Sequence, residues 1–192
     1  MLILNKNILT IGGNRLEGGP LTPPTPPAPT DEITIGTQTW KKYNLAVDDG
    51  GTGIYHLDNV TLNGVNVGTV YYYTLDAARR VVSNISGWHI PTEAEGYLLG
   101  DLVEGGWETA GGKLKSTSGW NNNGNGTDDY GWGGYPVGQY GGSTTANGGK
   151  EVYYVLDSSN SNNKFGMAYN NNYLAQPVSI SSPCPVRLIK DT

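Results

Sequence analysis

Alternation of apolar and polar residues predicts a strand near the start of the main domain. EITIGTQTW (32–40) alternates with a period of two, which places Ile33 and Ile35 on one face of a strand. Three later stretches also read as short strands: EVYYVLD (151–157), FGMAY (165–169) and PVRLIKD (185–191). Within them we expect a buried apolar set at Val152, Val155, Phe165 and Met167.

After a predicted strand through Tyr71–Tyr73, the spacing of apolar residues changes to that of a helix. Thr74 is placed to cap the N-terminus of this helix, because its hydroxyl can accept a hydrogen bond from a free backbone N–H. Leu75, Ala78 and Val82 then recur on one face.

A second helix is predicted from GWHIPTEAEGYLLGDLV. Thr92 and Glu95 have the spacing of a capping box, in which each side chain bonds the backbone N–H of the other residue. Leu98, Leu99 and Leu102 are its expected buried stripe. No helical period returns after residue 103, and two early helices followed by irregular strands predict an α+β fold.

The chain divides into three parts by composition. Residues 18–30, GGPLTPPTPPAPT, form a Pro-rich linker of semi-rigid, extended character. Residues 1–17 precede it and are interpreted as an N-terminal attachment peptide, with a disordered leader as the alternative. Residues 31–192 form the single globular domain.

Polar, uncharged and aromatic residues dominate the composition. Glycine contributes 29 of the 192 residues, tyrosine 13 and tryptophan 5, whereas charged residues make up only 15%. Tyrosine and asparagine are typical of adaptable binding surfaces. The net charge of −5 argues against nucleic-acid binding, which needs a basic surface, and no apolar stretch approaches the ~20 residues of a membrane span.

The N-terminus and the cysteine content indicate in which cellular compartment the protein is made and folds. MLILNKNILTIGG lacks the basic leader, long apolar core and cleavage site of a secretion signal. Cys184 is the only cysteine, so no intrachain disulfide and no thiolate metal site can form. These features predict synthesis and folding in a cytoplasm.

GWNNNGNGTDDYGW (119–132) combines turn-forming residues with two anchoring tryptophans. Asn121, Asn123, Asn125 and Asp128 roughly match the alternating oxygens of a Ca²⁺ loop. The stretch has only two acidic residues, however, and they are adjacent. We therefore favour a surface loop in which Asn and Gly supply the turns, with weak Ca²⁺ binding left open; no metal or other cofactor is predicted.

Several motifs occur in an order that resembles a known family. They are IGTQTW followed by Asn44-Leu45, SGWHIPTEAE, GGKLKSTSGWNNNGNGTDDYG, a Tyr-Pro-x-Gly segment and a terminal VRLIKD. The series is similar to the Fibrobacter succinogenes major paralogous domain, over about residues 32–191. The chain departs from the family at Leu188, often a cysteine there, and at residues 152–155, where the family has Tyr-Trp-Trp-Ser.

The resemblance implies a C-type-lectin-like fold, in which EITIGTQTW and PVRLIKD lie side by side. It also implies kinship with receptors of this fold, among them phage tail-fibre tips and the variable proteins of diversity-generating retroelements. The Asn clusters at 158–164 and 169–173 fall in the segment that faces the ligand in those proteins.

Two activities known on this fold lack their residues here. Calcium-dependent sugar binding needs Glu-Pro-Asn or Gln-Pro-Asp, but the chain has Gln176-Pro177-Val178. The formylglycine-generating enzymes need a reactive cysteine pair, and Cys184 stands alone. His89 lies within the GWHIPT motif and is interpreted as structural, so we expect no catalytic residues and no enzyme.

The ligand surface is expected between residues 140 and 173, where tyrosine and asparagine are concentrated; burial of some of these tyrosines in strands is the alternative. The candidate ligand-binding residues are Tyr140, Tyr153, Tyr154, Asn160, Asn162, Asn163, Tyr169, Asn170, Asn171, Asn172 and Tyr173.

The sequence therefore predicts a receptor-binding adhesin. The preferred version is a phage tail-fibre component in the virion, joined to other subunits through its N-terminal segment and recognising a glycan or protein on the host surface. A bacterial cell-surface or secreted adhesin and a structural subunit without a ligand are the alternatives. The oligomeric state stays open, with a homo-oligomer among the options.

Overall fold

The computed structural model describes residues 10–11, 14–15 and 31–192. The chain separates into two units, Met1–Thr30 and Asp31–Thr192. In the first unit, β1 (Thr10–Ile11) pairs with β2 (Asn14–Arg15) in antiparallel register. The rest of the predicted attachment peptide and the whole Pro-rich linker lie outside the described residues.

The second unit is a mixed α+β structure, as the sequence predicts. Between Asp31 and Thr192 it contains three α-helices, α1 (Leu75–Val82), α2 (Glu93–Leu102) and α3 (Trp107–Leu114), and one 3₁₀ turn (Asn121–Asn123). Its strands are β3 (Glu32–Ile35), β4 (Gln38–Lys41), β5 (Ile54–Leu62), β6 (Val65–Tyr73), β7 (Trp88–His89), β8 (Gln139–Tyr140), β9 (Thr145–Ala146), β10 (Glu151–Val155), β11 (Asn163–Ala168), β12 (Ala175–Ser179) and β13 (Ile189–Lys190).

Both predicted helix N-caps are confirmed. The Thr74 hydroxyl accepts a hydrogen bond from the Ala77 amide at 3.3 Å. At α2, the Glu95 amide donates to the Thr92 hydroxyl at 3.2 Å and the Thr92 amide donates to Glu95 Oε2 at 2.8 Å, which completes the capping box.

The predicted buried stripe of α2 is only partly correct. Leu99 is buried, but Leu98 is exposed and Leu102 is half-buried. The helix instead buries Gly100 beneath the indole of Trp107, where an added Cβ would lie 2.6 Å from Trp107 Cδ2. The inward face of α2 is therefore narrower than its leucine spacing predicts.

Helix α3 was not predicted, because its sequence WETAGGKL contains two glycines and few apolar residues. Glycine has low helix propensity, so the local signal is weak. Tertiary packing compensates, since Ala110 and Leu114 are fully buried in the main core.

Strands from the two ends of the second unit share a four-stranded sheet in the order β3-β4-β13-β7. Ile189 of β13 pairs with Trp40 on one side and with His89 on the other. The pairing expected between EITIGTQTW and PVRLIKD is thus present, although only Ile189 and Lys190 of the latter form a strand.

A long hairpin of β5 and β6 joins this sheet to α1. Its strands are connected by Asn63 and Gly64, with φ of 46° and 80°. Positive φ at both turn residues is typical of the tight turn that matches the twist of a hairpin. The sequence reading found only the final residues of β6 and missed β5.

A second sheet, β10-β11-β12, covers the other side of the core. The four residues expected to be buried in its strands, Val152, Val155, Phe165 and Met167, are all buried. An aromatic cluster lies beneath it: Trp132 contacts Trp40 edge-on with ring centroids 5.1 Å apart, and Tyr154 stacks on Phe165 at 5.1 Å.

Candidate ligand-binding surface

Strand β11 separates the two Asn-rich segments. Its first residue, Asn163, pairs with Ser179, and its last residue, Ala168, pairs with Glu151. A six-residue strand spans about 17 Å. Residues 158–162 and 169–173 therefore lie at opposite ends of the sheet, and the expected ligand surface is divided into two loops.

The loop of residues 169–173, called the YNNNY loop below, presents its side chains to solvent. Asn170 and Asn172 are exposed, and Tyr173 exposes 54% of its surface. Asn171 is half-buried and structural, because its Oδ1 accepts a hydrogen bond from the Tyr173 amide at 3.0 Å. Tyr169 is also half-buried and packs against the core.

A buried lysine holds the main chain of this loop from below. Lys115 Nζ donates to the Asn171 carbonyl at 2.8 Å and to the Ala168 carbonyl at 3.3 Å. The ammonium also lies 5.2 Å from the ring centroid of Trp120. Burial lowers the pKa of Lys115, so the carbonyls and the ring must compensate a costly buried charge.

Three glycines form a seat for the same loop, called the glycine cradle: Gly111, Gly112 and Gly124. A Cβ at Gly111 would lie 2.6 Å from the Tyr173 carbonyl carbon, and one at Gly124 would lie 2.8 Å from that of Tyr169. The Gly112 amide donates to the Asn172 carbonyl at 3.1 Å. The main chain of the loop thus approaches Gly111 and Gly124 so closely that only glycine fits at these two positions.

The tryptophan-flanked stretch at 119–132 supplies part of this cradle. Trp120 and Trp132 are buried, as their proposed role as anchors requires. Between them, Asn125 Oδ1 accepts from the Trp120 amide at 3.1 Å, and Asp128 Oδ1 accepts from the Gly133 amide at 2.7 Å. The asparagines and glycines close a surface turn, and Gly124 brings that turn against the YNNNY loop.

No cation site is apparent in the part of the chain that the structure describes, where no three acidic, His or Cys side chains come together. In the stretch considered for Ca²⁺, Asn121 Oδ1 accepts from Asn63 Nδ2 at 2.7 Å. With Asn125 and Asp128 also engaged, three of the four residues considered already accept a hydrogen bond from the protein.

Side chains at the other end of β11 make hydrogen bonds both to the scaffold and within their own loop. Asn163 Nδ2 donates to Glu93 Oε1 at 2.6 Å, and Lys164, which is buried, donates from Nζ to the Ser161 carbonyl at 2.7 Å. Asn160 is exposed, but its Oδ1 accepts from the Asn162 amide at 3.1 Å. Asn162 itself is half-buried.

The prediction that Tyr154 contacts a ligand is wrong. Its side chain is fully buried, because β10 turns it inward onto Trp132 and Phe165. Tyr153 points to the opposite face of β10 and is half-buried; burial, with a further contribution from Glu151, raises its pKa to about 12.

Tyr140 is half-buried and stacks on Tyr55, with centroids 4.3 Å apart. Tyr55 comes from the hairpin that the sequence reading missed. Neither tyrosine belongs to the YNNNY loop, so the candidate residues do not form one contiguous site.

His89 is held between two carboxylates, and Cys184 is buried. His89 lies between Asp191 Oδ1, 2.7 Å from Nδ1, and Glu95 Oε1, 2.8 Å from Nε2. Cys184 is buried, and burial raises the pKa of its thiol to about 12, so it stays protonated at neutral pH.

Sequence reasoning missed the residues that hold the YNNNY loop. Gly111, Gly112 and Lys115 lie in GGKLK, a segment used only for the family resemblance. A lysine is normally exposed, and nothing local indicates that this one is buried. The adjacent Gly111 and Gly112 were the available signal, since glycine inside a regular element often marks a close approach of another chain segment.

Comparison with known proteins finds no matching family model, no matching curated protein and no matching solved structure. Among the described residues, no helix has the length and apolar character needed to cross a membrane.

Proposed function

We propose that this protein is a receptor-binding component of a phage tail fibre, which recognises a ligand on the host surface through the YNNNY loop. The supporting observation is the combination of exposed side chains with a fixed main chain. Asn170, Asn172 and Tyr173 face solvent, while Lys115 and the glycine cradle hold the backbone beneath them.

This arrangement suits recognition because it is pre-organised. A loop that is already ordered loses less conformational entropy on binding than a mobile one. Tyr173 offers a large amphipathic ring with few rotatable bonds, and the asparagine amides can both donate and accept hydrogen bonds. Few charges are present in the loop, so shape and hydrogen bonding decide its specificity.

We further propose a C-type-lectin-like fold for residues 31–192. Two features favour it: the sheet that joins strands from both ends of this unit, and the long irregular region between α3 and β10 that packs on this scaffold. In this interpretation residues 1–30 attach the domain to other fibre subunits.

Binding of the full-length, fluorescently labelled protein to a panel of bacterial strains tests the proposal. We expect saturable binding to a subset of strains, measured by flow cytometry and competed by unlabelled protein. Pretreating cells with periodate or with protease distinguishes a glycan receptor from a protein receptor. If the protein bound saturably to none of the strains, this result would count against a host-recognition role.

A further inference from the structure

Four asparagines of this chain are followed directly by glycine: Asn63, Asn123, Asn125 and Asn147. In such a pair, the backbone nitrogen of the glycine can attack the side-chain amide carbon of the asparagine. Glycine favours this attack because it has no Cβ to hinder the approach and because its backbone can adopt many conformations. In the folded protein, the contacts that hold the two residues decide whether a pair reacts.

Hydrogen bonds hold the asparagine side chain in two of the pairs. Asn63 Nδ2 donates to the Gly119 carbonyl at 2.9 Å and to Asn121 Oδ1 at 2.7 Å. Asn147 Nδ2 donates to Glu151 Oε2 at 2.9 Å, and the carbonyl of Asn147 accepts from the Glu151 amide at 3.2 Å. Closing a ring at either pair must break these bonds, because both the side chain and the following peptide have to rotate.

The pair at Asn125 is held at both of its reacting groups. Asn125 Oδ1 accepts from the Trp120 amide at 3.1 Å. The amide of Gly126, which supplies the attacking nitrogen, donates to the Ser116 carbonyl at 3.0 Å. This pair is therefore protected as well.

Asn123 is held least. Its side chain is exposed and makes no hydrogen bond to any residue that the structure describes. The amide of Gly124 donates to the Asn121 carbonyl at 2.8 Å. That bond closes a single 3₁₀ turn, which is interrupted by Asn122 at a φ of 50°. Hydrogen bonds of 3₁₀ turns have poor geometry, so this one opens more readily than the bonds at the other pairs.

We propose that Asn123 is a site of spontaneous modification, where the Asn123-Gly124 pair deamidates in the folded protein. The Gly124 nitrogen loses its proton to hydroxide and bonds to Asn123 Cγ. The Cγ–Nδ2 bond then breaks, and Nδ2 leaves as ammonia after it takes a proton from water. The product of this step is a succinimide ring.

Water opens the ring in one of two ways. Cleavage of the bond between the ring nitrogen and Cγ gives aspartate. Cleavage of the bond between the nitrogen and the main-chain carbonyl carbon gives isoaspartate, whose main chain runs through the side-chain carbons. Water is the only co-reactant, and no group is oxidised or reduced.

The isoaspartate product would disturb the seat of the YNNNY loop. Gly124 lies so close to this loop that an added Cβ would be 2.8 Å from the carbonyl carbon of Tyr169. Isoaspartate lengthens the main chain by one methylene group directly before Gly124 and adds a negative charge. The Tyr169 amide, which donates to the Lys150 carbonyl at 2.8 Å, should then exchange faster with solvent. This inference is independent of the proposed host recognition, because it involves no receptor.

The test is incubation of the full chain in H₂¹⁸O at mildly alkaline pH, followed by digestion in ordinary water and tandem mass spectrometry of all four pairs. The ¹⁸O label marks carboxylates formed during the incubation. We expect Asn123 to convert at least about fivefold faster than each other pair, the factor expected for one additional hydrogen bond that must open. Its rate should rise in proportion to the hydroxide concentration. In denaturant, the pairs should convert at similar rates.

Asn123→Gln is the matched variant, because glutamine keeps the amide but would have to close a larger, less favourable ring. It should abolish labelling at position 123 and leave the other pairs unchanged. Incubation should accelerate exchange of the Tyr169 amide in the unmodified protein but not in this variant. The proposal is overturned if another pair converts as fast as Asn123 in the folded protein. It is also overturned if Asn123 stays intact while the denatured protein converts, or if the variant shows the same change at Tyr169.

Discussion

Lys115 Nζ and the carbonyl oxygen of Asn171 lie 2.8 Å apart, which joins the buried end of α3 to the centre of the YNNNY loop. This contact links two stretches that are 56 residues apart in sequence. The order of a solvent-facing loop thus depends on a charge placed in the interior.

Replacing Lys115 by methionine should loosen the loop. Met fills much of the same volume but leaves the carbonyls of Asn171 and Ala168 without their donor, while it also relieves the burial of an ammonium. We expect the free energy of unfolding to fall by about 1–2 kcal/mol and exchange of the Tyr173 amide to accelerate by about tenfold. Lys150→Met, at an exposed lysine, is the control, and equal exchange in both variants would contradict the assignment.

The adjacent glycines of α3 provide a matched pair. Gly111→Ala places a methyl group against the Tyr173 backbone, whereas Gly112→Ala meets the exposed Asn172 side chain at 2.9 Å, which can move. Both changes gain the same helix propensity, so their difference isolates the contact of Gly111 with the main chain of the loop. We expect Gly111→Ala to be less stable than Gly112→Ala by about 1–3 kcal/mol in denaturant titrations; equal stability would show that the loop does not rest on Gly111.

His89 should make stability depend on pH. Burial lowers its pKa, but the hydrogen bonds that its ring donates to the carboxylates of Asp191 and Glu95 outweigh this, and the pKa lies above the ordinary 6.5. A raised pKa in the folded state contributes stability that is fully present below pH 6.5 and is lost as the pH rises through the folded value. The stability advantage of the unmodified protein over His89→Gln should therefore shrink between pH 6 and pH 9, as followed by thermal melts. A constant difference would exclude this linkage.

Calcium should be dispensable for folding. Three of the four residues considered as ligands already accept a hydrogen bond from the protein. A bound ion would stabilise the native state by mass action, so melts with calcium and with a chelator should coincide. A clear drop in melting temperature in chelator would reveal a site that the hydrogen bonds do not indicate.

Local patterns predicted the parts of the fold that depend on neighbours in sequence. The caps at Thr74 and Thr92 need only residues three positions away, and the apolar residues of the short strands identified Val152 and Phe165 as buried. Helix α3 escaped because its stability comes from packing against distant elements, which overrides weak local propensity. Strand β5 was missed although the Asn63-Gly64 pair that joins it to β6 is a local hairpin signal.

The residue types of the candidate surface could be predicted from the sequence, but their arrangement in space could not. Asparagine and tyrosine clusters indicated residues 158–173, yet only the pairing of β11 shows that its two loops face opposite ends. Period-two alternation places Tyr153 and Tyr154 on opposite faces, and the sequence alone did not decide which of the two was buried. Lys115 was unpredictable because its acceptors are main-chain carbonyls, which leave no trace in residue type.

Cell binding by paired tyrosine variants measures the central claim most directly. Tyr173 of the YNNNY loop and Tyr97 of α2 expose 54% and 43% of their surfaces, and Tyr97 also contacts the ring of Trp107, so replacement of either by alanine should change stability by about 1 kcal/mol or less. Asn170→Ala combined with Asn172→Ala tests the amides of the same loop, and Asn160→Ala tests the loop at the other end of β11.

On a strain that binds the unmodified protein, affinity should be read from saturation curves of the labelled full chain. The account predicts that Tyr173→Ala and the Asn170/Asn172 double variant each lose about tenfold or more in affinity, since a few anchors carry most of an interface. Tyr97→Ala and Asn160→Ala should bind as the unmodified protein does. Normal binding by both YNNNY-loop variants, with loss in Asn160→Ala or Tyr97→Ala, would contradict the assignment of this loop as the receptor-binding site.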